Sequence, residues 1–376
     1  MRRHIGAMQP DYSTVMCLEP DGPSRPTPPA EHISDTPMGE LMRQSDVMRG
    51  LGAPFVADLL AAAERQLDHA PRTARLIRSW GSTAASSAIA MRVNAALHAL
   101  ARHGAVPLLS SLYAGEHRRF DEAVAQALAR HDDLLVAWLH QVPQTNEVGR
   151  AAAFQAALMR LARDHGHGFE LLEIGASAGL NLNLSRYAYD LGGVRAGQPD
   201  SSVRIAPQWR GPPPPDAPVV VAKACGVDLH PVDIRDPGAC ERLASFVFAD
   251  QPERAARLGH ALALARHYPP RVDAGHAAPW LAARLAMPPM AAGRHRVVLH
   301  SMVLQYVAAD ERAAMERTLA DAARGASPAY PLACVGFEWD ARRERVELRL
   351  RSWPDGGDRI LAYCHPYGAW IDWQDA

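Results

Sequence analysis

Lysine is nearly absent. Lys223 is the only one among 40 basic residues, and the rest are arginines in a chain also rich in alanine and proline. The arginine content therefore reads as a compositional preference. A net charge of −1 over 376 residues gives no electrostatic reason to expect nucleic acid or an anionic membrane as partner. Cysteine is scarce as well. Cys17, Cys225, Cys240, Cys334 and Cys364 are odd in number and contain no C-x-x-C pair. That argues against a disulfide framework or a structural zinc site and for a reducing, cytoplasmic setting. The 17 histidines include no H-x-x-x-H or H-E-x-x-H spacing, so no metal centre is expected. Long apolar runs are missing too. "APWLAARLAMPPMAAG" comes nearest and is broken by Arg284 and Pro288-Pro289, which excludes a membrane-spanning helix. Met1-Arg2-Arg3 is not followed by the apolar core of a secretion signal.

What is present is a chain with 48% hydrophobic residues, long enough for two domains or one large domain with a subdomain. Residues 1–35, rich in Pro, Asp and Ser without periodicity, read as a disordered leader. Residues 36–166 read as helical. "APFVADLLAAAERQLDHA" places Phe55, Val56, Leu59, Leu60 and Ala63 on one face, and "TNEVGRAAAFQAALMRLARDHG" carries Thr145 or Asn146 as a cap and Gly166 or Gly168 as a stop. Residues 167–376 change texture. The short strand-like runs "FELLEI", "PVVVAKA", "RVDA", "RHRVVLH" and "LACVGFEW" alternate with helical ones, which predicts a doubly wound α/β domain with a parallel sheet. "RVELRLRSW" and "DRILAYC", joined through Asp355-Gly356-Gly357, predict an antiparallel C-terminal edge. A proline-rich stretch at about 201–218 reads as a surface insertion.

The chemistry-bearing motif is "LLEIGASAGLNLN". Gly175-Ala176-Ser177-Ala178-Gly179 is a G-x-S-x-G, the pattern of a hydrolase nucleophile elbow, and Asp273 and His300 follow in the required order. However, an elbow needs several strands upstream, and here the upstream region is helical. The same stretch is E-x-G-x-x-x-G from Glu173, which resembles the loop that holds S-adenosylmethionine in class I methyltransferases. Glycines at the end of a first strand let backbone approach a ligand, and an acid suits a ligand bearing ammonium and sulfonium groups rather than a diphosphate. Ser177 stands where such a loop has its middle glycine, which costs little provided its φ is negative. Asp228 or Asp233 in "VDLHPVD", after the presumed second strand, suits ribose hydroxyls.

With "QTNEVGRAAA", "FADQPERAARL", "HSMVLQYV" and "HPYGAWIDW", these segments resemble the bacterial "domain of unknown function 2332" family, from about Gly39 to Trp373. The resemblance implies a methyltransferase-like Rossmann domain and no particular substrate. On that basis Glu173, Gly175, Ala176, Ser177, Gly179 and Asp228 are the cofactor-binding candidates. His276 and Ala277, after the third strand, stand at the adenine position, where methyltransferases often carry an Asp before a small residue. His300 is the candidate base and Tyr306 its neighbour, both after the fourth strand, where acceptor-side groups belong. Asn146, Glu147, Arg150, Asn181, Arg254 and Gln305 are the substrate-binding candidates, with Arg254 suited to an anionic group. His365, Tyr367 and Trp370 form an aromatic cluster that serves either a substrate wall or packing. The expected function is methyl transfer from S-adenosylmethionine to a small molecule. A binding protein on a degenerate methyltransferase fold and a serine hydrolase are the alternatives.

Overall fold

The structure, a computed structural model, describes residues 39–50, 52–80, 89–166, 168–288 and 292–375. The expected leader lies outside them. The chain begins with helices α1 (Glu40–Gly50), α2 (Pro54–Arg65), α3 (Pro71–Arg78), α4 (Ile89–Arg102), α5 (Pro107–Tyr113) and α6 (Phe120–His140). Proline in the first turn starts α2, α3 and α5, where its missing N–H has no helical partner to lose. Leu59, Leu60, Leu97, Leu109 and Leu128 fill their shared core. α7 (Ala151–His165) follows and stops at Gly166, whose φ of 95° only glycine adopts readily.

α7 ends at the expected boundary at 166/167 and packs across it. It belongs by position to the helical region, but Ala152, Phe154, Leu158 and Leu161 pack with the sheet. Residues 36–376 form one unit. The Ala-rich sequence of α7 explains this, because a helix that is apolar nearly all round must be enclosed on all sides.

The strands are β1 (Gly168–Ile174), β2 (Ala188–Leu191), β3 (Val194–Gly197), β4 (Arg204–Ile205), β5 (Gln208–Arg210) and β6 (Val220–Asp228). After α8 (Pro237–Ser245) and α9 (Pro252–His267) come β7 (Val272–Ala274), α10 (Ala277–Leu285), β8 (His295–Ser301) and α11 (Ala309–Arg324). β9 (Leu332–Trp339), β10 (Val346–Trp353), β11 (Asp358–Cys364) and β12 (Trp370–Trp373) complete the chain. Nine of these strands form one sheet in the order β5-β12-β11-β10-β9-β8-β1-β6-β7. The run β9-β8-β1-β6-β7 is parallel, and β10, β11 and β12 are each antiparallel to the strand before. α7 and α9 cover one face over Phe169, Leu171, Val297 and Leu299. α10 and α11 cover the other over Leu172, Ile174, Val298 and Cys334. The mixed α/β class, the two covered faces and the antiparallel edge agree with expectation.

The proline-rich stretch also contributes strands. Its residues supply β4, which pairs with β2 in a separate three-stranded sheet, and β5, which pairs with β12 and ends the large one. Two- and three-residue strands carry no readable alternation, so their pairing partners decide them.

From β1 the chain moves to β6 and β7, then returns past β1 to β8 and β9. The direction of winding reverses between β1 and β8. Such a reversal opens a crevice at the carboxyl ends of the two strands, where the connecting loops diverge.

Candidate functional site

At the end of β1 the chain makes a tight turn, stitched to β6 by the Gly175 and Ala176 amides, which donate to the Val227 carbonyl at 2.9 and 3.0 Å. Ser177 has φ +54°, not the negative value that would make serine a cheap substitute for glycine. Three contacts hold it there. Its amide donates to Asp228 Oδ2 at 2.8 Å, its hydroxyl donates to Gln144 Oε1 at 2.6 Å, and its carbonyl accepts from Val232 at 3.2 Å. The two glycines meet protein atoms. A Cβ on Gly175 would collide with Val303, and one on Gly179 would come within 2.7 Å of Pro270. The element after the turn is a 3₁₀ helix, Leu180–Arg186, whose first amide donates to Asn146 Oδ1 at 2.9 Å. Asn146 therefore caps this turn and not α7, as the sequence had suggested.

Glu173 is 1% exposed. Asn181 Nδ2 donates to its Oε1 at 3.2 Å, while Glu173 Oε2 and Asn181 Oδ1 have no partner among the described residues. Burial, reinforced by the Asp228 charge, pushes the Glu173 carboxyl up to about 8 against the pull of Asn181 and Arg150. Burial therefore favours the neutral acid at Glu173, where the sequence suggested a carboxylate.

The segment 144–150 joins this turn to a second cluster. Glu147 accepts from Gly149 N at 3.0 Å and from Arg254 Nε and Nη2 at 2.7 and 2.6 Å, with Arg257 at 3.8 Å. Burial works to raise the Glu147 carboxyl, but Arg254 and Arg150 override it and hold it below the usual range. The Arg254 guanidinium lies 4.1 Å from the Tyr367 ring centre and is fully engaged by Glu147 and Gln251. It is therefore not the free anion receptor the sequence suggested. Arg150 donates to the Pro366 carbonyl at 2.9 Å and lies 3.4 Å from both Ser301 oxygens.

The segments that meet here, 144–150, 173–181, 228–233, 251–254, 300–306 and 365–370, are far apart in sequence and gather at one end of the sheet. The chain matches, over residues 39–373, the model of a family described as an uncharacterized protein conserved in bacteria (DUF2332). The chain belongs to this family. No curated protein and no solved structure matches it.

The other predicted residues of this family member divide between that end of the sheet and its flanks. His300 Nδ1 lies 2.9 Å from Glu338 Oε1, and its ring covers Gly336. Burial alone would lower the His300 pKa, but hydrogen bonds to Cys334 and Glu338 reverse this and raise it to about 10. These bonds favour the protonated ring, which leaves His300 less suited to take a proton than a neutral imidazole. The neutral ring nearby is His365, lowered by burial and by Arg254. Tyr306 is 47% exposed. Gln305 bonds to Met302 O at 3.2 Å and to Arg343 at 2.8 Å. His276 is exposed, lies 3.3 Å from Glu311 and starts α10 with Ala277 at the far β7 edge. Asp233 is paired with Arg235. Ser177, Asp273 and His300 form no triad, because Asp273 is held by Trp280, Arg271 and Arg284 and the His300 ring by Glu338 and Cys334. Sequence reasoning missed Gln144, Glu338 and Arg92. Arg92 alone carried a signal, as an arginine within the otherwise apolar "IAMRVNAALHAL". Among the described residues no cluster suits a metal ion, and no helix is long and apolar enough to cross a membrane.

Proposed function

We propose that this family member is an S-adenosylmethionine-dependent methyltransferase acting on a small molecule, with a methyltransferase-like Rossmann arrangement around β1. The observation that carries the reading is the pair of unpartnered buried oxygens, Glu173 Oε2 and Asn181 Oδ1, beside a turn at the point where the winding of the sheet reverses. The acceptors there fit the cofactor. Glu173 and Asn181 suit its ammonium, and Asp228 at the end of β6 suits ribose hydroxyls. Asp228 Oδ2 accepts only the Ser177 amide and retains a lone pair. The glycines add nothing to this set, since Val303 and Pro270 occupy their open sides. When bound, the cofactor supplies an electrophilic methyl group. The chain's own part is to orient the acceptor from the loops after β8 and β9 and to take its proton, for which neutral His365 is suited where His300 is not.

Thermal melting with S-adenosylmethionine and S-adenosylhomocysteine tests this reading. A ligand at a hundredfold its Kd adds about 2.7 kcal/mol, a shift of several degrees. Glu173→Gln keeps the shape but removes the carboxylate, and is expected to melt higher without ligand and to lose the shift. No shift of the wild type at millimolar ligand would overturn the reading. It would favour a binding module without this cofactor, which the closed glycines support.

A further inference from the structure

Cys225, Cys240, Cys334 and Cys364 are all free and all buried. Depth does not separate them, but their neighbours do. Cys334 lies on β9, and Gly336 and Glu338 follow it at intervals of two, so the three positions share one face of the strand. His300 on β8 is the partner of Gly336. Its ring fills the space that a side chain at 336 would take, with Cε1 and Nε2 2.7 and 2.9 Å from where a Cβ would stand. Nδ1 reaches Glu338 at 2.9 Å on one side of Gly336, and the ring's other hydrogen-bond partner is Cys334 on the opposite side. Arg351 on β10 is the strand partner of Cys334 and brings Nη2 to 3.7 Å from its sulfur. Glu316 of α11 holds that guanidinium at 2.7 and 3.1 Å. One thiol thus stands between an imidazole and a guanidinium, the surroundings that favour a thiolate.

The other three lack this setting. Cys240 has Arg266 4.0 Å away but donates its proton to the Ile234 carbonyl at 3.3 Å. Burial pushes the thiols of Cys225, Cys240 and Cys364 up. Burial would also raise Cys334, but His300 and Arg351 reverse this and lower it. The array continues to the β1 turn. Glu338 Oε1, which holds the His300 ring, also accepts from the Val303 and Leu304 amides at 3.1 and 3.4 Å, and Val303 covers Gly175.

We propose that Cys334, set between His300 and Arg351, is a site of oxidation by hydrogen peroxide, and that its oxidation loosens the hold of Glu338 on the loop after β8. At 3% exposure the sulfur admits an oxidant close to water in size and excludes bulkier thiol reagents. The thiolate sulfur attacks one peroxide oxygen, so that an S–O bond forms and the O–O bond breaks. Sulfur loses two electrons to the peroxide, and the leaving hydroxide takes a proton from His300 and departs as water. The product is a sulfenic acid, the first and reversible step of thiol oxidation. His300 is then neutral, and a neutral ring holds the Glu338 carboxylate less tightly than a charged one. The site does not depend on which cofactor the β1 turn takes.

The test exposes the folded full chain to hydrogen peroxide for timed intervals, stops the reaction with catalase and unfolds the chain in urea with dimedone, which traps sulfenic acid. Mass spectrometry then reads the adduct on each cysteine separately. Cys334 is expected to oxidise at least tenfold faster than Cys225, Cys240 and Cys364, which serve as equally buried controls within the same molecule. His300→Gln and Arg351→Met are each expected to slow it at least fivefold, and Arg351→Met decides if His300→Gln does not fold. Hydrogen exchange of the treated wild type is expected to quicken at the amides of residues 303–306, with no response to peroxide in Cys334→Ser. Equal rates at the four cysteines would overturn the proposal, as would variants that oxidise as fast as the wild type. Unchanged exchange in that loop after complete oxidation of Cys334 would overturn the coupling, and a loop response to peroxide in Cys334→Ser would do the same.

Discussion

Ser177 adopts a left-handed backbone that costs an L-residue roughly 1–2 kcal/mol, and its hydroxyl bond to Gln144 offsets about as much. Ser177→Ala keeps the strain and loses the bond, so it is expected to destabilise by about 1 kcal/mol. Ser177→Gly loses both and is expected to stay within about 0.5 kcal/mol of the wild type in urea unfolding. Equal losses in the two variants would show that the hydroxyl alone matters. At this scale the sequence was readable for residue type and not for state. Glu173 and Ser177 were recognisable as parts of one turn and Asp228 as an acid at the end of the next parallel strand. The proton on Glu173 depends on Asn181, Asp228 and the depth of burial, and the φ of Ser177 on an acid from another strand. His300 shows the same divide: its place at the end of β8 was legible, its charge was not, because Cys334 and Glu338 come from a later strand.

One atom gathers the first residues of the loop after β8. Glu338 Oε1 accepts from the His300 ring at 2.9 Å, the Val303 amide at 3.1 Å and the Leu304 amide at 3.4 Å. Through Val303 this loop also closes over Gly175, so the acid on β9 fixes the cover of the β1 turn. Glu338→Ala removes the acceptor shared by the His300 ring and two amides and is expected to cost about 2–3 kcal/mol. The amides of residues 303–306 should exchange with deuterium markedly faster, while β1 stays protected. Unchanged exchange in that loop would show that packing alone holds it. The longer elements were legible, namely β1, β6, β8, β9, β10, β11 and helices α9, α10 and α11, and three-residue β7 was placed by its position between two helical runs, whereas α8 was not read. β2 to β5 and β12 were not, since pairing with distant residues defines them rather than any pattern of their own.

Over the whole molecule, Glu173 and His300 impose the same slope with pH. Glu173 holds a proton when folded up to about 8 and His300 up to about 10, both above their ordinary values of 4.5 and 6.5. Between each pair of values the folded chain binds more protons than the unfolded one, so stability falls as pH rises. From these two groups the wild type is expected to lose stability as pH rises from about 4.5 through 8, most steeply between about 6.5 and 8 where both contribute, and then more gently towards 10, at up to about 1.4 kcal/mol per pH unit for each group. Glu173→Gln should flatten the lower part only, as read from urea midpoints across pH. A flat wild-type profile would mean that neither proton is held as described.

The pairing of β5 with β12 sets a condition on how the chain is made. Gln208 meets Trp370, roughly 160 residues later, so during synthesis β5 waits on the order of ten seconds for its partner to leave the ribosome. An unpaired strand in that interval invites addition of a foreign one. Pro207 and the run Pro212–Pro215 flank β5 and offer no N–H to such a strand. The proline-rich stretch thereby leaves few N–H groups beside that edge until β12 is made and pairs with it.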